Sequence, residues 1–190
     1  MARPRSEEKQ QAIVEAATRV VAEHGVAAPT ARIARLAGVA EGTLFTYFAT
    51  KDELLNHLYL ALKLDMREEM MAGYPARGTL RRRAQHVWGG YVRWGVSQPD
   101  KRRAMAQLAV SDRITDTTRQ AGMQAFAEAA GLVAECVAGG PLRDEPHAYV
   151  GALMEALAEA TMRFMAQEPA RAEHYLETGF EVFWRAATGR

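Results

Sequence analysis

The chain has 190 residues, of which 48% are hydrophobic and 25% charged, and its formal net charge is +1. This length accommodates one ordinary domain, or a small domain joined to a second one. A net charge so close to zero excludes a protein that holds nucleic acid mainly by nonspecific attraction to phosphate. The 36 alanines against three isoleucines favour helices and disfavour a sheet. We therefore expect an all-α protein.

The single cysteine, Cys136, excludes an internal disulfide. The N-terminus lacks the apolar segment of a secretory signal, and no apolar run is long enough to span a membrane. We therefore expect a soluble, cytoplasmic protein without a membrane partner. A Gly-rich phosphate loop, a Ser nucleophile elbow and a zinc-type cluster are also missing from the sequence, so we expect no cofactor, no metal site and no catalytic residue.

Apolar residues recur at helical spacing along the chain and predict about nine helices. The first helix spans residues 7–24 and stops at Gly25, and two short helices follow it. A long helix over residues 51–71 ends at the Gly73-Tyr74-Pro75 break. The remaining helices are predicted at residues 79–97, 100–110, 114–138, 145–167 and 169–187.

The two short helices lie between Thr30 and Lys51 and have the pattern of a helix-turn-helix. Gly38 stands between them, where the end of a helix favours the left-handed conformation. At about 100° per residue, the second short helix has two opposed faces. The anchoring face is predicted to carry Leu44, Phe45 and Phe48, and the free face Gly42, Thr43, Thr46 and Tyr47. The free face suits hydrogen bonds to phosphates and base edges, so we predict duplex DNA as the ligand.

A capping box is predicted directly after this segment. Thr50 fits the N-cap position of the long helix and Glu53 its third helical position. The box puts Lys51 in the first helical turn, where we expect its ammonium group to contact a DNA phosphate.

The residues of this region resemble the signature of TetR-family transcriptional regulators over roughly the first third of the chain. The matching pattern is Ile33-Ala34-x-x-Ala37-Gly38-Val39-x-x-Gly42-Thr43-Leu44-Phe45-x-Tyr47-Phe48-x-x-Lys51-x-x-Leu54. The resemblance implies an N-terminal three-helix DNA-binding domain and a C-terminal helical domain that dimerises and binds a small-molecule effector. It also implies that Gly42, Thr43, Tyr47 and Lys51 contact DNA, with Thr46 as the candidate for reading a base. Thr30 and Arg32, at the start of the preceding helix, complete the predicted DNA-binding residues.

Four positions depart from the family pattern. Ala40 lacks a side-chain acceptor where a serine usually caps the recognition helix, which costs about 0.5–2 kcal/mol of local stability. Glu41 suits the helix dipole but repels a nearby phosphate. Phe45 stands where tyrosine is frequent, and Pro29 takes the usual capping position of the preceding helix. Each departure weakens one expected contact, and the first 51 residues carry only seven Lys or Arg against five Glu.

The predicted domain boundary lies in the Gly- and Pro-containing stretch at residues 72–78. Residues 1–50 would form the DNA-binding domain, residues 51–71 the connecting helix, and residues 72–190 the effector-binding and dimerisation domain. Arg3, Arg5 and Lys9 form a short basic N-terminal arm that either follows the DNA backbone or is simply solvated.

The last two predicted helices each have a narrow polar stripe and a wide apolar arc. An arc this wide favours a dimer in which two helices from each subunit form a four-helix bundle about a two-fold axis. The alternative is a monomer that buries both helices internally. The predicted dimer contacts are Leu153, Leu157, Phe164, Leu176, Phe180 and Phe183.

Aromatic residues alternate with glycines in the helix over residues 79–97, which is compatible with a cavity for an apolar effector. Methionines from other helices suit the irregular lining of such a cavity. The alternative is that these aromatic and Met side chains form ordinary core. The predicted pocket residues are Trp88, Tyr91, Trp94, Met105, Leu108, Met123, Phe126 and Met154.

The sequence therefore predicts a homodimeric, ligand-responsive repressor that a small, largely apolar molecule releases from a palindromic operator. A palindrome is expected because one short recognition helix reads too few base pairs, whereas two helices one or more turns apart read two half-sites. The alternatives are an all-α enzyme and a helical interaction module that does not bind DNA.

Overall fold

The computed structural model describes residues 6–189, and within them it contains ten α-helices and no strand. The predicted all-α fold is confirmed, and the first and fourth helices begin and end where the sequence predicts. Arg3 and Arg5 of the predicted basic arm lie outside the described residues. No helix in residues 6–189 is both long enough and apolar enough to span a membrane. The helices are α1 Glu7–His24, α2 Thr30–Leu36, α3 Glu41–Tyr47, α4 Lys51–Met71, α5 Leu80–Ser97, α6 Pro99–Ala109, α7 Asp116–Ala125, α8 Ala127–Val137, α9 His147–Gln167 and α10 Ala172–Thr188.

The prediction of one helix over residues 114–138 is wrong, because Phe126 separates α7 from α8. Phe126 has φ −102° and ψ 10°, outside the helical range. Its half-buried ring packs against a cluster that includes Met70 and Leu132. Neither glycine nor proline marks this break, so helix propensity alone does not reveal it. A 3₁₀ turn, Pro169–Arg171, also precedes α10.

The described chain divides into two compact units. The first unit contains the chain up to Leu64 together with Gln98–Met123, and the second contains Asp65–Ser97 and the chain from Gln124 onward. The division differs from the predicted boundary at residues 72–78, because α6 and most of α7 belong to the first unit. Helix α4 contributes its first two-thirds to the first unit and its end to the second.

The core of the first unit is built on α1, which packs against α2 and α6. The sequence favours this arrangement because α1 buries a continuous stripe of apolar residues from Ile13 to Val21. Helices α2, α3 and α4 each add buried residues to this core, which fixes the helix-turn-helix against α1. Those residues include Ile33, Ala34, Leu44, Leu54 and Leu58.

The core of the second unit lies among α5, α8, α9 and α10. Trp88 of α5 stands at its centre, where the indole Nε1–H donates to the carbonyl of Leu176 over 3.1 Å. The Trp88 ring also stacks on Phe183, with ring centroids 5.9 Å apart. Because its hydrogen bond and its stacking are both satisfied, Trp88 is held in one position.

Candidate functional site

The turn of the helix-turn-helix closes as a Schellman motif. The amide of Gly38 donates to the carbonyl of Arg35 over 3.2 Å, and the amide of Val39 donates to that of Ala34 over 3.0 Å. Gly38 has φ +68°, the left-handed conformation in which glycine avoids the strain of a Cβ. Val39 packs on the core and sets the direction in which the chain enters α3.

Helix α3 is anchored by a different face from the one that the sequence predicts. Leu44 is completely buried and Phe48 nearly so, as expected. Tyr47, predicted on the free face, is 9% exposed, and its hydroxyl accepts a hydrogen bond from the backbone N–H of Ser6 over 2.9 Å. That hydrogen bond ties the end of α3 to the start of α1. The predicted exposure of Tyr47 is therefore wrong, and its contribution to DNA binding stays a prediction.

The exposed face of α3 carries a large apolar ring that the sequence assigns to the core. Phe45 is 41% exposed, and Gly42 and Thr46 are exposed with it, while Thr43 is half-buried. The Thr46 hydroxyl donates to the carbonyl of Gly42 over 3.1 Å, which keeps its oxygen available as an acceptor. The face thus offers a ring for apolar contact, such as with a thymine methyl, beside a hydroxyl for hydrogen bonding.

The start of α2 is joined to the start of α3. The Thr30 hydroxyl donates to the Glu41 carboxylate over 2.6 Å, and Arg32 contacts the ring of His24. Pro29 is the N-cap residue of α2 and Ala40 that of α3, and neither side chain caps its helix. The carboxylate of Glu41 is therefore held within the unit by a neighbouring hydroxyl.

The predicted N-cap of α4 at Thr50 is confirmed, but the reciprocal bond of the capping box is shifted by one residue, from the amide of Thr50 to that of Ala49. The Thr50 hydroxyl accepts from the amide of Glu53 over 3.0 Å, and the Glu53 carboxylate accepts from the amide of Ala49 over 2.8 Å. Lys51 follows directly and is half-buried. Burial and, secondarily, the charge of Arg113 lower the pKa of Lys51, and Asp52 opposes this shift.

The comparisons with known proteins agree with this geometry. Residues 13–58 match the family of bacterial regulatory proteins described as the tetR family. A TetR-family transcription regulator from Shewanella sp. PV-4 is 30% identical over 96% of this chain and 98% of that chain, with a TM-score of 0.82. The chain belongs to the TetR family of transcriptional regulators. Regulators of this family are DNA-binding transcription factors and not enzymes, so the enzyme alternative is set aside.

Two more distant structures share the TetR fold. FadR from Bacillus subtilis, in complex with stearoyl-CoA, is 16% identical with a TM-score of 0.68, covering 95% of this chain and 99% of that chain. LfrR from Mycobacterium smegmatis, in complex with proflavine, is 17% identical with a TM-score of 0.67, covering 93% and 95%. At these identities the likeness supports the fold alone.

In this TetR-family chain, three of the predicted pocket residues line one cavity of the second unit. Trp88, Tyr91 and Met154 surround it with Met70, Cys136 and others. The cavity measures about 10 Å³, which is room for one water molecule at most. The side chains that line it are apolar, as predicted, but they pack too closely to leave room for a ligand.

The other predicted pocket residues lie elsewhere. Met105 and Leu108 belong to the core of the first unit, and Met123 is exposed, so these three do not join the cavity. Trp94 and Phe126 pack in a neighbouring cluster of the second unit, where the Trp94 Nε1–H donates to Asp65 over 2.7 Å. The prediction that all eight residues line one pocket is therefore wrong, because the residues of α6 and α7 fold with the first unit.

The glycines of α5 do not create the cavity. A Cβ on Gly90 would lie 2.7 Å from the Cα of Met70, so Gly90 allows α4 and α5 to approach closely. A Cβ on Gly89 would meet the guanidinium of Arg93, a flexible group that can move away. The sequence pattern of aromatics and glycines thus reflects helix packing at Gly90.

A larger, open groove of about 320 Å³ lies on the second unit. Charged residues of both signs line it, including Arg82, Arg93, Glu173 and Glu177, and the Arg93 guanidinium lies 3.4 Å from the Glu173 carboxylate. Its volume is at the lower end of the range for small-molecule sites. Its charged lining differs from the apolar pocket that the sequence predicts.

The predicted dimer contacts separate into two groups. Leu176, Phe180 and Phe183 are buried inside the second unit, so the prediction that they face a partner is wrong. Their side chains pack on the core that contains Trp88. Leu153 and Phe164 are each 41% exposed, and Leu157 is half-buried.

Exposed apolar groups nevertheless remain on α9 and α10. Tyr149 and Val182 are more than half exposed, in addition to Leu153 and Phe164. The Phe164 ring lies against Tyr175, with ring centroids 5.6 Å apart. These residues define an apolar α9/α10 surface: Tyr149, Leu153, Phe164 and Val182.

Proposed function

We propose that this TetR-family chain is a homodimeric repressor that binds a palindromic operator and dissociates from it when a small, largely apolar molecule binds the second unit. The observation that carries the DNA-binding part is the exposed face of α3, with Thr46 and Phe45 beside one another on a helix anchored by a fully buried Leu44. Lys51, in the first turn of the next helix, supplies a phosphate contact to fix the register.

The test of this site begins with selecting bound sequences from a random pool of duplex DNA. Thr46→Ala is expected to relax the selected sequence at one position of each half-site and to cost about 1–3 kcal/mol there. Thr117→Ala, which removes an exposed hydroxyl on α7, is the matched control and should change nothing. Recovery of no sequence preference with folded, dimeric protein would refute the operator proposal.

The dimer proposal rests on the apolar α9/α10 surface. Exposed apolar side chains that cluster on neighbouring helices are typical of subunit interfaces. A two-fold pair of such surfaces would form the four-helix bundle predicted from the sequence, with Leu153 and Phe164 in place of the inward-facing residues of α10. A paired molecule would also present two α3 helices to two half-sites.

Light scattering with size-exclusion chromatography tests the dimer. Leu153→Glu is expected to shift the mass from dimer to monomer because it would bury an unpaired carboxylate at the interface. Val110→Glu is the control, since Val110 is an apolar residue of the first unit that is 85% exposed. A monomeric wild-type chain at micromolar concentration would contradict the proposal.

The ligand proposal rests on the closed apolar cavity around Trp88, Tyr91 and Met154. A ligand of ordinary size needs about 300 Å³ or more, so binding would have to displace side chains. Met70 and Met154 line the cavity and have flexible thioether side chains suited to such movement. The ligands in the FadR and LfrR structures, stearoyl-CoA and proflavine, are suitable probes because both carry a large apolar part.

Thermal unfolding with stearoyl-CoA or proflavine tests the cavity. A ligand that binds only the folded state should raise the midpoint of unfolding and weaken operator binding. Met154→Trp places a bulkier and stiffer side chain at the cavity wall and should abolish the shift relative to the unliganded variant, whereas Arg93→Ala, in the open groove, should leave it unchanged. The reverse pattern would assign the ligand to the groove, and no shift with either probe would remove the support for a site of this chemistry.

A further inference from the structure

A cation from outside the helix-turn-helix lies at the N-terminal end of α4. Arg113 belongs to the turn between α6 and α7, and its Nη1 donates to the Oδ1 of Asp52 over 2.6 Å. Asp52 is the residue after Lys51, so Arg113 lies beside the lysine assigned to a DNA phosphate. The Arg113 side chain is 43% exposed, which leaves its guanidinium accessible from solvent.

Hydrogen bonds fix the turn that carries Arg113. Asn56 of α4 donates from Nδ2 to the carbonyl of Arg113 over 2.8 Å, and its Oδ1 accepts from the amide of Thr115 over 3.0 Å. Arg119 donates to the carbonyls of Ala109 and Ser111, on the other side of the turn. The backbone at Arg113 is thus held to α4, and the bond to Asp52 holds its guanidinium near the start of that helix.

Two cations, Lys51 and Arg113, lie near one another at this end of α4. Lys51 and Arg113 are close enough for the arginine to lower the pKa of the lysine, in addition to the larger effect of burial. Asp52 and Asp112 raise the pKa of Arg113 and balance the two cations while no ligand is bound. Within residues 6–189, the bond to Asp52 is the one side-chain hydrogen bond observed for Arg113, and a guanidinium has five N–H donors.

We propose that Lys51 and Arg113 together form a phosphate-binding site for the backbone of duplex DNA, in which Asp52 holds Arg113 in position and competes with the phosphate. The proposal rests on the DNA-binding function proposed above and extends the DNA-contacting surface to a turn that follows α6. A guanidinium suits this task because its planar N–H groups match two phosphate oxygens at once.

The salt dependence of binding to a random-sequence duplex tests the site, because a phosphate contact is independent of sequence. Each lost contact makes the plot of log binding constant against log salt less steep by about 0.9. When the salt rises from about 50 to 200 mM, a variant with one contact fewer therefore loses about 3.5-fold less affinity than the wild type does. Lys51→Ala and Arg113→Ala should each lower the slope by about this amount, and Arg113→Lys should restore most of it. Arg103→Ala is the control, since Arg103 forms an equally short exposed pair, 2.6 Å, with Asp100.

Asp52→Asn separates a phosphate site from a purely structural ion pair. If Asp52 competes with phosphate, Asp52→Asn tightens DNA binding while Arg113→Ala weakens it. If the pair only stabilises the turn, both substitutions weaken binding and lower the midpoint of thermal unfolding alike, which would overturn the proposal. An unchanged salt slope in Arg113→Ala, or an equal change in Arg103→Ala, would also overturn it. In each of these outcomes the wild-type chain still binds DNA. A wild-type chain that binds no duplex would instead refute the DNA-binding function itself.

Discussion

Replacing Gly179 by alanine tests how closely α9 and α10 pack in the second unit. Gly179 lies in the middle of α10, and a Cβ built there would be 2.4 Å from the Thr161 hydroxyl oxygen and 2.9 Å from Cζ2 of Trp88. Neither neighbour moves easily. The Thr161 hydroxyl donates to the carbonyl of Leu157 over 2.9 Å, and Trp88 is fixed by its hydrogen bond to Leu176.

Two opposing effects determine how much Gly179→Ala changes the free energy of unfolding. In a helix interior, alanine is favoured over glycine by about 1 kcal/mol. Forcing an extra carbon into a packed core costs about 1–3 kcal/mol when the neighbours are rigid. With two contacts under 3.0 Å the steric cost should lie in the upper part of that range, about 2–3 kcal/mol, so we expect Gly179→Ala to lower the free energy of unfolding by about 1–2 kcal/mol. For a chain of this size the midpoint of thermal unfolding should fall by roughly 2–8 °C.

Circular dichroism during thermal and urea unfolding, at one fixed protein concentration, measures the effect. Gly151→Ala is the matched control, because Gly151 lies within α9 and a Cβ there meets no atom within 4 Å. That control should raise stability by up to about 1 kcal/mol. Thr161→Ala should cost less in the Gly179→Ala background than in the wild type, since it removes the closest contact. A Gly179→Ala protein as stable as the wild type would refute the packing argument.

Three further predictions concern single side chains. Thr50→Ala should destabilise the chain by about 1 kcal/mol and Thr50→Ser should not, because serine keeps the capping oxygen; urea unfolding measures both. Tyr47→Phe should cost about 0.5–1.5 kcal/mol by the same assay, through loss of the hydrogen bond from Ser6, and an unaltered stability would contradict the anchoring of α3 to α1. Burial raises the pKa of the Cys136 thiol to about 11, so iodoacetamide at about pH 8 should label it only after unfolding. Rapid labelling of the native protein would contradict this.

Features determined by neighbouring residues could be predicted from the sequence. The bounds of α1 and α4, the left-handed Gly38 and the capping box at Thr50 each depend on residues a few positions apart. For these elements a stop signal or a hydroxyl–carboxylate pair of fixed spacing determines the local backbone, whatever packs around it. The structure confirms them, except that Glu53 accepts from the amide of Ala49 and not from that of Thr50.

The faces of α3 show where the sequence argument needs tertiary information. At about 100° per residue, Tyr47 and Phe48 lie about 60° and 40° from Leu44, on opposite sides, whereas Phe45 lies about 100° away. A narrow buried face centred on Leu44 therefore includes Tyr47 and leaves out Phe45. The prediction from the sequence instead groups Phe45 with Leu44 and Phe48 and leaves Tyr47 on the free face. A tyrosine can be buried at low cost when its hydroxyl finds a donor, and here that donor is the amide of Ser6.

The lining of the proposed ligand cavity was the least predictable feature because it depends on which helices fold together. Met105 and Trp88 carry similar sequence signals, yet α6 packs on α1 in the first unit and α5 packs on α9 and α10 in the second. Periodicity identifies a buried face but not its partner. Trp88, Tyr91 and Met154 line one apolar cavity, and only the tertiary contacts show which of the other predicted residues do not.

The acidic residues near the proposed DNA-contacting surface explain why pairing would matter for affinity. Glu41 and Asp52 would each repel a phosphate, but each is held by a partner, Thr30 and Arg113 respectively. Those partners are themselves candidate DNA contacts, so binding DNA would have to compete with interactions already made inside the unit. A single copy should therefore bind weakly. In a dimer the second copy binds at a high effective concentration once the first is bound, so modest half-site affinities combine into specific binding of a palindrome.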